Sequence, residues 1–339
     1  MKGVVFLGDG KVEVREFRKP EPGSGEVVVK MMVAGLCGSD LHFMHETAAE
    51  RAGSVIIVGH EPCGVVDTVG EGVTGVREGD KVSVYHYRGC GRCRHCLAGN
   101  YFWCPEKRGY GGPIDGSSAD FILTDARNCL LLPPELNFVD GALIACCAGT
   151  AWSSMRKLQV SGQHTLAVFG QGPVGLSGLL IAKGMGAHVI SVEPNPERRA
   201  LAKRLGADFV IDPAAGDPVE SIRRLTGGRG ADMAFETSGS PAGQYSTVEC
   251  LCNGGRAVIV GFGSKEKSVN LSQINVRQLT LMGSFVMNIG MYGELTDFLV
   301  SRKISLESMV THRFPIEKAV EAFALFDRGN TGKVVLQWS

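Results

Sequence analysis

Thr165-Leu166-Ala167-Val168-Phe169-Gly170-Gln171-Gly172-Pro173-Val174-Gly175 decides how the second half of this chain folds. Residues 165–169 make a short apolar run of the kind buried in a sheet. The run ends in the spacing G-x-G-x-x-G, and an apolar helical stretch, Pro173–Met185, follows. Between a strand and a helix, that spacing reads as a dinucleotide fingerprint. Gly170 is expected to allow the tight turn, Gly172 the approach of a pyrophosphate, and Gly175 the packing of helix on strand. Pro173 and Val174 lie in the first helical turn, where the missing N–H of proline is no loss. The helix N-terminus offers partial positive charge to phosphate. Glu193 closes the next strand, His188–Val192. A carboxylate there accepts hydrogen bonds from ribose hydroxyls and repels a 2′-phosphate, which points to NAD. Arg198 and Arg199 stand nearby and keep a 2′-phosphate partner open.

On both sides of this stretch the pattern changes character. Beyond it, strand and helix alternate: Glu197–Leu205 helical, Phe209–Ile211 strand, Ser221–Thr226 helical, Met233–Glu236 and Ala257–Val260 strands. That alternation predicts βαβ units and a doubly wound parallel sheet over 151–285. Before residue 150, short β-rich runs such as Glu26–Met32, Gly64–Val69 and Lys81–Val84 are separated by glycine turns. The tail from 286 returns to mixed structure, with a helix at Ile316–Phe326 and a last strand, Lys333–Gln337. Residues 1–150 and 286–339 are therefore expected to share one β-rich domain.

Cys90, Cys93, Cys96 and Cys104 stand in the pattern C-x2-C-x2-C-x7-C. Thiolates at such spacing close a tetrahedron around Zn²⁺ and leave no open position, so this metal is expected to be structural. It stands in for the core that a lobe spanning about 88–106 is too small to build. A second constellation lies apart from it: Cys37, the pair His60-Glu61, and Cys146 beside Cys147. Cys and His with one position left over are the ligand types of a catalytic zinc.

Composition limits the remaining classes. The chain has 339 residues, 44% hydrophobic, with 35 basic and 35 acidic side chains. A formal net charge of zero gives no footprint for nucleic acid or a membrane surface. No apolar run is expected to approach the roughly twenty residues of a membrane span. The eleven cysteines, clustered at metal spacing, suit a reducing cytoplasm.

With Gly35–His42, Gly59-His60-Glu61-Pro62, Gly79-Asp80-Lys81-Val82, the cysteine lobe, the fingerprint and the closing Gly332-Lys333-Val334-Val335-Leu336 in hand, the chain resembles the zinc-dependent medium-chain alcohol and polyol dehydrogenases. The resemblance covers essentially the whole length. It implies an α/β fold: a GroES-like β-rich catalytic domain interrupted by a Rossmann domain. It implies two zinc ions per chain, one catalytic and one structural, and NAD. Cys37, His60 and Cys146 would hold the catalytic zinc, with Cys147 the rival of Cys146. Glu61 either binds that metal or swings in when water or substrate exchanges. Asp40 resembles the carboxylate that orients a metal-bound histidine. Arg198 and Lys333 fall among the residues the resemblance places near the cofactor.

The implied reaction moves a hydride between a secondary alcohol and NAD, giving the ketone. Ser39 would take the alcohol proton and pass it through the nicotinamide ribose to His42. A substrate with further hydroxyls needs polar walls, and His86, Glu61, His45 and Tyr110 are candidates. The reading is a polyol, sugar or hydroxyl-bearing secondary alcohol; simpler alcohols or a noncatalytic zinc-binding relative are the alternatives. The partner is a small alcohol or ketone, and relatives of this kind are homodimers or homotetramers.

Overall fold

Apolar β-branched runs and glycine-closed helices sort this chain into two units in the computed structural model, which describes all residues except 52, 54, 264–268 and 270. One unit comprises Met1–Gly149, Met287–Gly329 and Lys333–Ser339. The other comprises Thr150–Val286 and Asn330–Gly332.

The second unit holds a six-stranded, all-parallel sheet. Its order is Phe209–Ile211, His188–Val192, Thr165–Phe169, Ala231–Glu236, Leu251–Ile259, Thr280–Gly283. Residues 166–169 are buried, as expected for a strand covered on both faces. The chain runs outward from Thr165–Phe169 on one side and then returns to its other side. This reversal creates the crevice where such sheets bind ligands. Phe169 and Glu236 are register partners at that point. The helix Pro173–Gly184 starts with Gly172 as its N-cap and Pro173 in its first turn. Helices at Pro196–Arg204 and Pro218–Leu225 extend slightly N-terminal to the expected segments, because a proline follows each polar cap, Asn195 and Asp217.

The first unit is built on a seven-stranded sheet. Its path is Val310–Phe314, Lys333–Gln337, Glu26–Gly35, Glu61–Val69, Lys81–Val84, Cys129–Leu131, and Phe121–Asp125 also pairs with Glu26–Gly35. Glu26–Gly35 is therefore central. Its neighbours Lys333–Gln337 and Glu61–Val69 both run antiparallel to it. Val27, Val29, Met31 and Ala34 enter a core with Phe6, Phe323 and Leu336. Phe6 and Phe323 meet edge to face at 5.1 Å.

The run Phe138–Leu158 is helical over 21 residues and is long and apolar enough to cross a membrane by length and composition alone. However, 94% of its apolar window is buried inside the protein, so its apolar faces are satisfied by protein contacts.

Candidate metal and cofactor sites

Cys37 ends the central strand's extension and caps the short helix Gly38–Met44. Asp40, in the first turn, accepts the Cys37 backbone N–H at 2.8 Å through Oδ2. Its other oxygen, Oδ1, lies 2.9 Å from His60 Nδ1. One buried carboxylate thus caps the helix and fixes the imidazole, leaving His60 Nε2 as the outward donor atom. Cys37, His60, Glu61 and Cys146 each offer a ligand atom, and these four atoms lie within 4.8 Å of one another. The two sulfurs are 4.0 Å apart. A tetrahedral ion with metal–sulfur bonds of about 2.3 Å needs its ligand atoms somewhat under 4 Å apart, so soft donors at this spacing fit zinc.

Electrostatics agree with a cation position. The hydrogen bond from Cys146 holds the Cys37 thiol well below its usual range, against burial, and His60 adds to the effect. The same contact, with burial, pushes Cys146 well above it. Burial opposes charging of His60, but Asp40 and Cys37 overcome it and raise its pKa well above the usual value. Negative charge shared by two sulfurs and capped by a proton is a place a metal ion can take.

Which of the adjacent cysteines faces the cluster is decided by backbone. Ile144–Ala148 forms a single π-helical turn between two α-helical stretches, a feature common at functional sites. Cys146 faces Cys37, whereas the Cys147 thiol points back to the Leu143 carbonyl at 3.5 Å. Ser39 Oγ lies 3.3 Å from both Cys37 Sγ and His60 Nε2. His42, one helical turn on, is exposed. His86 is buried, its Nδ1 2.5 Å from the Ala145 carbonyl and its ring 5.8 Å from that of His60. Burial, with the nearby His60, lowers its pKa to about 3, so it stays neutral.

The lobe cysteines converge as well: Cys90, Cys93, Cys96 and Cys104 bring their sulfurs within 4.8 Å. Cys93 caps the short helix Arg94–Leu97, which delivers Cys96 three residues later. Tyr85 and Tyr101 pack against Cys96 and Cys104.

In the second unit, Gly170 has φ +86°, and a Cβ there would lie 2.9 Å from the Ser238 backbone nitrogen. A Cβ at Gly175 would collide with the Gly170 carbonyl. At Gly172 nothing stands within 4 Å, so that face is open to a ligand. The tight turn at Gly170 and the close helix packing at Gly175 are thus visible in the backbone. Glu193 accepts the Gln171 N–H at 2.6 Å and the Asn195 N–H at 2.9 Å. Arg198 Nε donates to the Thr331 carbonyl at 2.8 Å, and Arg199 pairs with Asp212 at 2.8 Å.

Three expected site residues are engaged elsewhere. Lys333 is fully buried, and its ammonium donates to the Leu36 carbonyl at 2.7 Å and pairs with Glu61 at 2.5 Å. It is not offered to a cofactor phosphate. His45 is half-exposed and reaches Asp327 at 2.9 Å. Tyr110 is buried, its hydroxyl 2.6 Å from Thr124 Oγ1. Residue-by-residue reading missed the Lys333–Glu61 pair; its available signal was Gly35, whose Cβ would overlap both side chains.

Residues 23–134 match the alcohol dehydrogenase GroES-like domain family, and residues 173–301 the zinc-binding dehydrogenase family. A zinc-type alcohol dehydrogenase-like protein of Escherichia coli is 36% identical over 100% of this chain and 99% of its own. This chain belongs to the zinc-dependent medium-chain alcohol and polyol dehydrogenases. L-threonine 3-dehydrogenase of Pyrococcus abyssi is 34% identical, covering 95% of this dehydrogenase and 94% of its own length. Human sorbitol dehydrogenase is 31% identical over 98% and 95% of the two chains. The solved alcohol dehydrogenase TADH from Thermus sp. ATN1 superposes with a TM-score of 0.92 at 29% identity, covering 99% of each chain. This dehydrogenase is an oxidoreductase of CH–OH donors with a GroES-like domain and a Rossmann-type parallel sheet.

Proposed function

We propose that this dehydrogenase oxidises a secondary alcohol carrying further polar groups, using NAD and a zinc ion held by Cys37, His60 and Cys146. The convergence of those three side chains with Glu61 carries the reading. Bound there, zinc supplies Lewis-acid polarisation of the substrate oxygen, and NAD supplies the hydride acceptor. The chain's own groups do the rest. Asp40 keeps His60 in one tautomer. Ser39 takes the alcohol proton at Oγ and hands it toward His42. Neutral His86 orients a substrate polar group. A second zinc, in the Cys90–Cys104 lobe, maintains structure.

Glu193 supports NAD over NADP, because it closes the second strand of the unit, His188–Val192, while Arg198 and Arg199 are bonded within the unit. A homodimer or homotetramer is supported by the strand Thr280–Gly283 at the sheet edge and by exposed Phe262 and Phe285 near it. A cytoplasmic setting is supported by eleven cysteines that form no disulfide.

The test is a panel of polyols, secondary alcohols and primary alcohols with NAD⁺ and NADP⁺, followed by absorbance of the reduced cofactor. Turnover of a hydroxyl-bearing secondary alcohol with NAD⁺ is expected. Glu193→Ala should narrow the cofactor preference by about 10-fold or more, since ribose loses its acceptor and a 2′-phosphate its repulsion. A wild-type kcat/KM higher on NADP⁺ would overturn the cofactor reading, and activity confined to simple primary alcohols the substrate reading.

A further inference from the structure

Glu61 and Lys333 come from strands on opposite sides of Glu26–Gly35. Glu61 begins its strand as the register partner of Gly35, and Lys333 begins the other two residues before Val335, which also pairs with Gly35. Their side chains meet over that glycine, the one residue type that leaves room for them. The ion pair is 2.5 Å long, and both side chains are 0% exposed. Glu61 Oε2 takes the ammonium, while Oε1 has no hydrogen-bond partner. Glu61 is also the fourth member of the Cys37–His60–Cys146 cluster. One carboxylate therefore stands between a fixed cation and a metal position.

We propose that Lys333 is a positioning residue that holds Glu61 back from the catalytic metal and so keeps the fourth coordination position open for substrate. The inference rests on the zinc reading above. An isolated carboxylate is not stable in an interior of this kind; it must pair, protonate or bind a metal. Lys333 supplies the first option. Without it, the metal becomes the nearest positive charge, and Glu61 closes the site with a fourth protein ligand. A closed four-ligand site is the structural type of zinc centre, whereas an open one is the catalytic type.

Cobalt replaces zinc in the purified full chain, and its visible spectrum reports ligand number without turnover. Imidazole is the exogenous probe. In the wild type it should shift the cobalt d–d bands, and Lys333→Arg, which keeps the charge, should behave alike. Lys333→Met should give altered resting bands that imidazole no longer shifts, with release of metal to a chelator slowed about 10-fold. Adding Glu61→Gln to Lys333→Met should restore the response. A Lys333→Met protein with wild-type bands, response and release rate would overturn the proposal. If that variant does not fold, Glu61→Gln alone decides: unchanged resting bands support a held-back carboxylate, and changed bands show that Glu61 already ligates and overturn it. A chain lacking thiolate–cobalt bands attributable to Cys37 and Cys146 overturns the metal reading itself, and with it this inference.

Discussion

In the Cys90–Cys104 lobe the outermost ligands are 14 positions apart, whereas Cys37 and Cys146 of the other cluster are 109 apart. The lobe is coded by one loop that needs little beyond its own turns and two packed tyrosines. The second cluster is an outcome of the whole fold: a helix cap supplies Cys37, the start of a strand His60 and Glu61, and a π-helical turn Cys146. Its outer layer differs too, with Asp40 on His60 and Lys333 on Glu61. A cluster assembled from distant parts can leave one position adjustable, while one closed by its own loop cannot. The same ligand chemistry therefore serves stability in one place and reactivity in the other.

The largest expected effect separates the two clusters. Cys37→Ala or His60→Ala should lower turnover by about 10⁴-fold or more, since metal polarisation is worth several kcal/mol of barrier. Metal analysis should show the chain folded and holding the lobe's zinc alone. Normal turnover in either variant would erase the distinction. Ser39→Ala should cost about 10²-fold or more in kcat, the usual scale of a general-base relay, with both metals retained. His42→Gln should cost less and recover partly in concentrated buffer; a Ser39→Ala enzyme with wild-type kcat and pH profile would move the proton path elsewhere.

Asp40→Asn probes the outer layer. Zinc affinity at the Cys37 cluster should fall by about 10–100-fold, the usual cost of losing a histidine's carboxylate partner, while the lobe keeps its metal. Competition with a chromophoric chelator reads both. The smallest effect on chemistry should come from the lobe. Cys93→Ala should lower Tm by about 5 °C, as loss of a few kcal/mol does in a chain of this size. Turnover per folded chain should stay within a few-fold of wild type. Lost activity with unchanged Tm and two metals would reverse the assigned roles.

Legibility in the sequence followed the range of the interactions. The fingerprint and the cysteine lobe rest on contacts within one loop or one strand–helix unit and are legible from spacing, and the parallel sheet is legible from the alternation of strand and helix patterns. The strand Thr280–Gly283 escapes a sequence reading, because a four-residue element at a sheet edge carries weak periodicity. Lys333 was misread for a different reason. A lysine near a chain end normally reaches solvent or phosphate, and only the pairing of three strands buries it against Glu61. His45 was misread similarly, since Asp327 lies 282 positions away. The family resemblance favours Cys146 over Cys147, and the physical reason, one irregular helical turn, is not legible from residue identity.

That turn has a consequence for how the segment can change. A helix advances by about 100° per residue, so each insertion or deletion before Cys146 rotates every later side chain by that angle. Ile144–Ala148 holds an extra residue in its turn, and removing one would restore ordinary winding while carrying the Cys146 sulfur away from Cys37. Side-chain exchange at Ile144 or Ala148 leaves this phase intact. The stretch thus behaves like a clockwork gear, in which teeth can be recut one by one but their number cannot change.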